Sequence, residues 1–234
     1  MSERRGGLSR RIIFFGDSIF VGQGVSPNQT FVTRLAADGE TVYGTGVDAP
    51  AVYNCSVNGQ TSRQALERIG FDVQSRGVDL MVLQLGLNDC NYWVTDRGLP
   101  RVSERGFVAN LREIIDRALW FGARRILLFT NHPVNKVLDK HAFFATSYAD
   151  SSRRYNKLIR EVAHAASPEI RLVDVEAEWD RRIKDGQIQL DQMILEDGIH
   201  LSVKGHLLYH EIGLPYFLDA VRSVYVAYFD ALSK

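Results

Sequence analysis

Cysteine, proline, net charge and long apolar runs are all scarce in this chain of 234 residues. The two cysteines, Cys55 and Cys90, are too few for a disulfide framework or a cysteine-based zinc site. In a reducing compartment both read as buried free thiols. Lys plus Arg number 28 and Asp plus Glu number 28, so the formal net charge is zero. A nucleic-acid partner needs a clustered basic excess, which is missing here. No segment approaches the roughly 18 apolar residues of a transmembrane helix, which argues against stable membrane association. Arg4, Arg5, Arg10 and Arg11 precede only the short apolar run Ile12 to Phe15. A secretory signal needs about 7–15 apolar residues. Residues 1–10 therefore read as a basic, solvated tail, and the expected compartment is the cytoplasm, with Met1 pointing the same way. Internal repeats, low-complexity tracts and linkers are also missing. No cluster of His, Asp, Glu and Cys suggests a metal site, and no cofactor motif stands out.

What is present suits one α/β domain over residues 1–234: 45% of residues are hydrophobic and 24% charged, enough for a full core. Short apolar runs alternate with stretches of helical period. The expected strands are Arg11–Phe15, Val52–Val57, Leu80–Leu85, Arg125–Thr130 and Ile170–Val175. Those at Leu80 and Arg125 are nearly continuous in apolar character, as in a parallel sheet covered on both faces. Expected helices are Phe31–Ala37, Ser62–Ile69, Ser103–Phe121, Tyr148–Ala165, and Val203–Ala231 with a break near Gly213-Leu214-Pro215. In Ser103–Phe121 the apolar residues Phe107, Leu111, Ile114, Ile115, Ala118 and Leu119 recur at helical spacing. Ser103 caps its start, and Gly122 follows its end. The β-α alternation implies a three-layer α/β/α sandwich around a five-stranded parallel sheet.

Four connections carry residues suited to chemistry. Gly16-Asp17-Ser18 leaves the first strand, Asn58-Gly59 the second, and Gly86-Leu87-Asn88-Asp89 the third. Asp197-Gly198-Ile199-His200 precedes the last helix. Strands of a parallel sheet end on one edge, where such sheets bind ligands, so Ser18, Gly59 and Asn88 should gather there. A serine hydroxyl needs a neighbouring base. His200 can take its proton and return it to a leaving alcohol, and Asp197, three residues earlier, can hold the other imidazole nitrogen. Attack on an ester carbonyl places charge on its oxygen. The backbone N–H groups of Ser18 and Gly59 and the Asn88 side-chain amide are candidate donors to it, each worth roughly a hundred- to thousandfold in rate. Asp17 and Asp89 read as turn and loop braces. The α/β-hydrolases also order their triad Ser, Asp, His, but their serine sits mid-chain in G-x-S-x-G, which Gly16-Asp17-Ser18-Ile19-Phe20 does not match.

These blocks resemble those of the SGNH hydrolases, the GDSL-type esterases and lipases. Ser18, Gly59, Asn88 and His200 match the four blocks in order, and Asp197 matches the aspartate of D-x-x-H. Asn88-Asp89-Cys90-Asn91-Tyr92-Trp93 with Leu99-Pro100-Arg101-Val102-Ser103 is similar to the loop and helix start of small bacterial-type members. Ile19 and Phe20 depart from the Leu/Ile-Thr pair often seen after that serine, which bears on the pocket wall. The resemblance implies a flavodoxin-like fold, ester hydrolysis through an acyl-enzyme on Ser18, and the oxyanion donors named above. Tyr92 and Trp93 either line a substrate pocket or pin their loop. His132, after the fourth strand, either contacts substrate or is a satisfied loop histidine. His141, His164, His206 and His210 have no matching partners. The expected substrate is a small ester, short-chain or an O-acetylated sugar. Thioesterase or lysophospholipase-type hydrolysis, and an acyltransferase or carbohydrate-binding protein on the same fold, are the alternatives. The sequence gives no oligomeric state.

Overall fold

The computed structural model describes residues 11–45, 49–93, 95, 97–136 and 146–232, with side chains to residue 224. The basic tail over residues 1–10 and His141 lie outside the described residues. In chain order the elements are β1 (Arg11–Phe15), α1 (Ser18–Val21), α2 (Phe31–Tyr43), β2 (Ala51–Asn54), α3 (Ser62–Ile69), β3 (Leu80–Leu83), α4 (Glu104–Trp120), β4 (Arg125–Phe129), α5 (Tyr148–His164), β5 (Ile170–Val173), α6 (Val175–Lys184), α7 (Leu190–Met193) and α8 (Val203–Leu232).

The five strands form one parallel sheet in the order β2-β1-β3-β4-β5. Helices α2 and α8 pack together on one face, and α3, α4 and α5 on the other. This is the expected three-layer sandwich. The central strands are buried on both faces, which is why Ile12–Phe15, Leu80–Leu83 and Ile126–Phe129 are apolar without alternation. The order of strand addition reverses between β1 and β3, with β2 added on one side of β1 and β3 to β5 on the other, so the connections after β1 and β3 open onto the crevice where α/β sheets bind ligands.

Local chemistry sets the helix starts. Ser103 accepts the Gly106 N–H and caps α4. Thr61 and Gln64 form a capping box on α3. Ser147 and Asp174 cap α5 and α6 by accepting the Asp150 and Ala177 N–H groups on their side chains.

Several bounds change: the third, fourth and fifth strands end at Leu83, Phe129 and Val173, and the first long helix runs on to Tyr43. The last helix is not broken at Gly213-Leu214-Pro215: α8 runs through Pro215 from Val203 to Leu232. Proline removes one backbone donor, but α8 is held against α2 and the sheet along this stretch. Gly213 lies so close to the Phe129 ring that an added Cβ would stand 3.2 Å from it. The second strand is shorter than expected, although backbone pairing persists past its end: the Cys55 and Val57 N–H groups donate to the Phe14 and Gly16 carbonyls at 2.8 and 3.1 Å. That pairing ties the Gly59 turn to the turn that carries Ser18. Among the described residues, no helix is long and apolar enough to cross a membrane.

Candidate active site

The turn after β1 is shaped by Asp17. Its Oδ1 accepts the Ile19 N–H at 3.0 Å and caps the single turn of α1, so Ser18 sits at that turn's first position. Ser18 is only 6% exposed. Its Oγ lies 2.9 Å from His200 Nε2, and His200 Nδ1 is hydrogen-bonded to Asp197 Oδ2. A carboxylate only accepts, so Nδ1 carries the proton in neutral His200. Nε2 is then left with a lone pair facing the hydroxyl.

The Asp197–His200 turn is built for this. Asp197 Oδ1 accepts the Ile199 and His200 N–H groups, each at 2.9 Å. The Leu195 N–H closes the turn on the His200 carbonyl at 2.7 Å. Gly198 has φ +74°, and a Cβ there would come within 2.6 Å of Asn135 Oδ1 and the Lys136 nitrogen, so glycine is required. Partial burial alone would raise the Asp197 carboxyl. The hydrogen bonds from His200 and the two backbone N–H groups outweigh it and hold the carboxyl below its ordinary range.

His132 is fully buried, with Nε2 2.7 Å from the Ile199 carbonyl and Nδ1 2.7 Å from the Tyr209 hydroxyl. The carbonyl can only accept, so Nε2 holds the proton and donates to it. Burial pushes this imidazole down to about 4, keeping it neutral. Both ring nitrogens of His132 are thus taken up by protein partners. This is the satisfied loop histidine, and it braces the residue that precedes His200.

On the other side of Ser18, Gly59 stands at φ +73° in an exposed turn, a conformation that favours glycine. Half-buried Asn88 reaches back with its Nδ2 to Asp17 Oδ2 at 3.4 Å. Asp17 is buried, and among the described residues no cation is paired with it. Desolvation pushes its carboxyl up to about 7 against the opposing Ile19 hydrogen bond, and the Asp89 charge adds to the rise. Asp89 braces the loop as expected: its carboxylate accepts the Ser62 N–H at 2.9 Å and the Ser62 hydroxyl at 2.5 Å, at the start of α3. Burial pushes it up to about 6.

Tyr92 pins its loop. Its hydroxyl accepts from Arg154 at 3.1 Å and from Ser151 at 3.2 Å on α5, and its backbone bridges to Pro100. Trp93 remains half exposed beside the site with the Arg101 guanidinium 4.4 Å from its ring centre. Both cysteines are free thiols; Cys90 is buried and Cys55 half-buried, and burial pushes both upward. The sequence reading missed Arg101 and the buried amides Gln84 and Asn131, which hydrogen-bond to each other beneath Asp17. No motif marks these residues.

The structure therefore brings Ser18, His200 and Asp197 into one hydrogen-bonded relay, with Asn88 hydrogen-bonded to the residue before Ser18. Such a relay can move a proton off the serine as its oxygen attacks. A sequence profile of the GDSL-like lipase/acylhydrolase family matches residues 14–208. A Bacillus subtilis (strain 168) protein named "Uncharacterized lipoprotein YqeF" is 26% identical over 179 residues, 68% of this chain and 70% of its own. Its name lends nothing to the cytoplasmic expectation. Among solved structures, the acetyl xylan esterase AlAXEase has a TM-score of 0.70 at 20% identity, over 88% of this chain and 98% of its own. Axe2, an acetylxylan esterase from Geobacillus stearothermophilus, has 0.69 at 19%, over 89% and 94%. A lipase/acylhydrolase from Enterococcus faecalis has 0.64 at 21%, over 90% and 96%. These structures share the fold, and the profile match over most of the chain establishes that it belongs to the GDSL-like lipase/acylhydrolase family of serine ester hydrolases.

Proposed function

We propose that this protein hydrolyses a small carboxylic ester through an acyl-enzyme on Ser18. The observation that carries the reading is the Ser18–His200–Asp197 relay, with Oγ to Nε2 at 2.9 Å. Ser18 Oγ bonds to the ester carbonyl carbon as its proton passes to His200 Nε2. The carbonyl oxygen becomes an oxyanion that accepts from the Ser18 and Gly59 backbone N–H groups and from Asn88 Nδ2. The carbon–oxygen bond to the leaving alcohol then breaks, and Nε2 returns the proton to that alcohol. Water attacks the acyl-serine, again giving its proton to Nε2. Collapse releases the acid and restores the Ser18 hydroxyl. Asp197 fixes the tautomer throughout and stabilises the transient imidazolium.

The acyl group is short and the alcohol is a sugar. Two of the matched structures are named acetyl xylan esterases. The half-exposed Trp93 ring beside the site offers a flat apolar face suited to a sugar ring. The test is a panel of p-nitrophenyl esters from acetyl to dodecanoyl, with acetylated xylo-oligosaccharides and an acyl thioester. The expected result is the highest kcat/KM on acetyl esters, release of acetate from the oligosaccharide, and loss of both in Ser18→Ala. A preference for long acyl chains or for the thioester would contradict the substrate assignment. Transfer of acetyl to a sugar alcohol in place of water would make the protein a transferase.

A further inference from the structure

An asparagine that serves as an oxyanion donor faces an orientation problem. The two ends of its carboxamide are nearly the same size, and only one end donates. Turned by 180°, Oδ1 would present lone pairs to the developing negative charge. Arg101 resolves this in one sense only: its Nη1 lies 3.3 Å from Asn88 Oδ1 and cannot accept a hydrogen bond. Asp17 Oδ2, 3.4 Å from Asn88 Nδ2, accepts there in its ionised form and favours the same sense. The same Arg101 nitrogen donates to the Gly59 carbonyl at 3.2 Å, so one guanidinium ties together two of the three oxyanion segments.

Arg101 is itself held. Its backbone N–H donates to the Asn91 carbonyl at 3.0 Å, and the Val102 N–H donates to the Asp89 carbonyl at 3.2 Å. Pro100 is paired with Tyr92. The guanidinium lies over Trp93, a contact that favours the flat arginine head over a lysine ammonium.

We infer that Arg101 is a positioning residue for ester hydrolysis, locking the Asn88 carboxamide with its N–H end toward the oxyanion and fixing the Gly59 turn beside it. The inference rests on the proposed role of Asn88 as an oxyanion donor. It makes Trp93 a brace for the oxyanion site as well as a substrate surface.

The test is a double-mutant cycle on p-nitrophenyl acetate with Asn88→Ala, Arg101→Ala and the pair, each checked for folding by circular dichroism. Arg101→Ala is expected to lower kcat on the order of tenfold with KM within about twofold, and to cost a clearly smaller factor once Asn88 is alanine, the remainder being the share carried by the Gly59 turn. Arg101→Lys, which supplies a donor without the planar fork, is expected to fall between wild type and Arg101→Ala. It also carries the cycle if the alanine variant fails to fold. Equal fractional losses in both Asn88 backgrounds would overturn the inference, because Arg101 would then act independently of Asn88. A raised KM with unchanged kcat would also overturn it, as the mark of a direct substrate contact. A normal rate for Asn88→Ala alone would instead remove the oxyanion role itself, a failure visible before Arg101 is touched.

Discussion

The two sides of Ser18 are built in different ways. On the His200 side, order comes from backbone: Asp197, Gly198, Ile199 and His200 occupy four consecutive positions, and the turn closes on its own N–H and carbonyl groups. Neutral His132 braces it from below. On the side of the proposed oxyanion donors, order comes from side chains of distant segments. Asp17, Asn88 and Arg101 form a chain of hydrogen bonds that also takes in the Gly59 carbonyl, over buried carboxyls in place of a buried imidazole. A base must be aimed at one hydroxyl, and a short rigid turn does that. An oxyanion site must collect donors from several strand ends, and only long-range contacts can gather them.

The largest expected effect lies at the junction of the two sides. Ser18→Ala should lose roughly four orders of magnitude or more of kcat on p-nitrophenyl acetate while its circular dichroism is unchanged. Residual turnover near wild type would remove Ser18 from the chemistry. Breaking the oxyanion side alone, Asn88→Ala should cost roughly a hundred- to thousandfold in kcat. Stopped-flow or steady-state rates at saturating ester measure it, and a near-normal rate would show that the backbone donors suffice.

Smaller effects separate the foundations of the two sides by pH. Asp17 has a folded value of about 7, above its ordinary 3.8, so folding takes up a proton between these values. Its contribution to stability is full below about pH 4 and is lost as pH rises through about 7. His132 has the opposite sign. Its folded value of about 4 lies below the ordinary 6.5, so stability is lost as pH falls from about 6.5 towards 4. The two windows overlap between about pH 4 and 7 and their slopes oppose each other, so unfolding free energies from denaturant titrations across pH 4 to 8 should rise more steeply with pH in Asp17→Asn than in wild type, by at most about 1.4 kcal/mol per pH unit. His132→Phe should tilt the same range the other way, so that stability falls more steeply as pH rises. Curves parallel to wild type in both variants would contradict these assignments.

The same contrast governs what the sequence reveals. The parallel sheet was legible because strands buried on both faces write continuous apolar runs, as in Ile12–Phe15 and Ile126–Phe129. Asp197 and His200 were legible as a pair because three residues of chain carry their geometry. Arg101 was not: it lies 13 residues from Asn88 and 42 from Gly59, and nothing local marks it as the partner of either. The surroundings of His132 are not legible locally, because they depend on Tyr209 in α8, 77 residues away. The persistence of α8 through Pro215 was likewise hidden, since packing against α2 and Phe129 overrides a local breaking signal.

The central claim is that Ser18 is the nucleophile. Intact-protein and peptide mass spectrometry after treatment with a fluorophosphonate tests it most directly. The expected result is a single adduct on the peptide containing Ser18, blocked by prior incubation with substrate and absent from Ser18→Ala. An adduct on another residue, or equal labelling of Ser18→Ala, would contradict it.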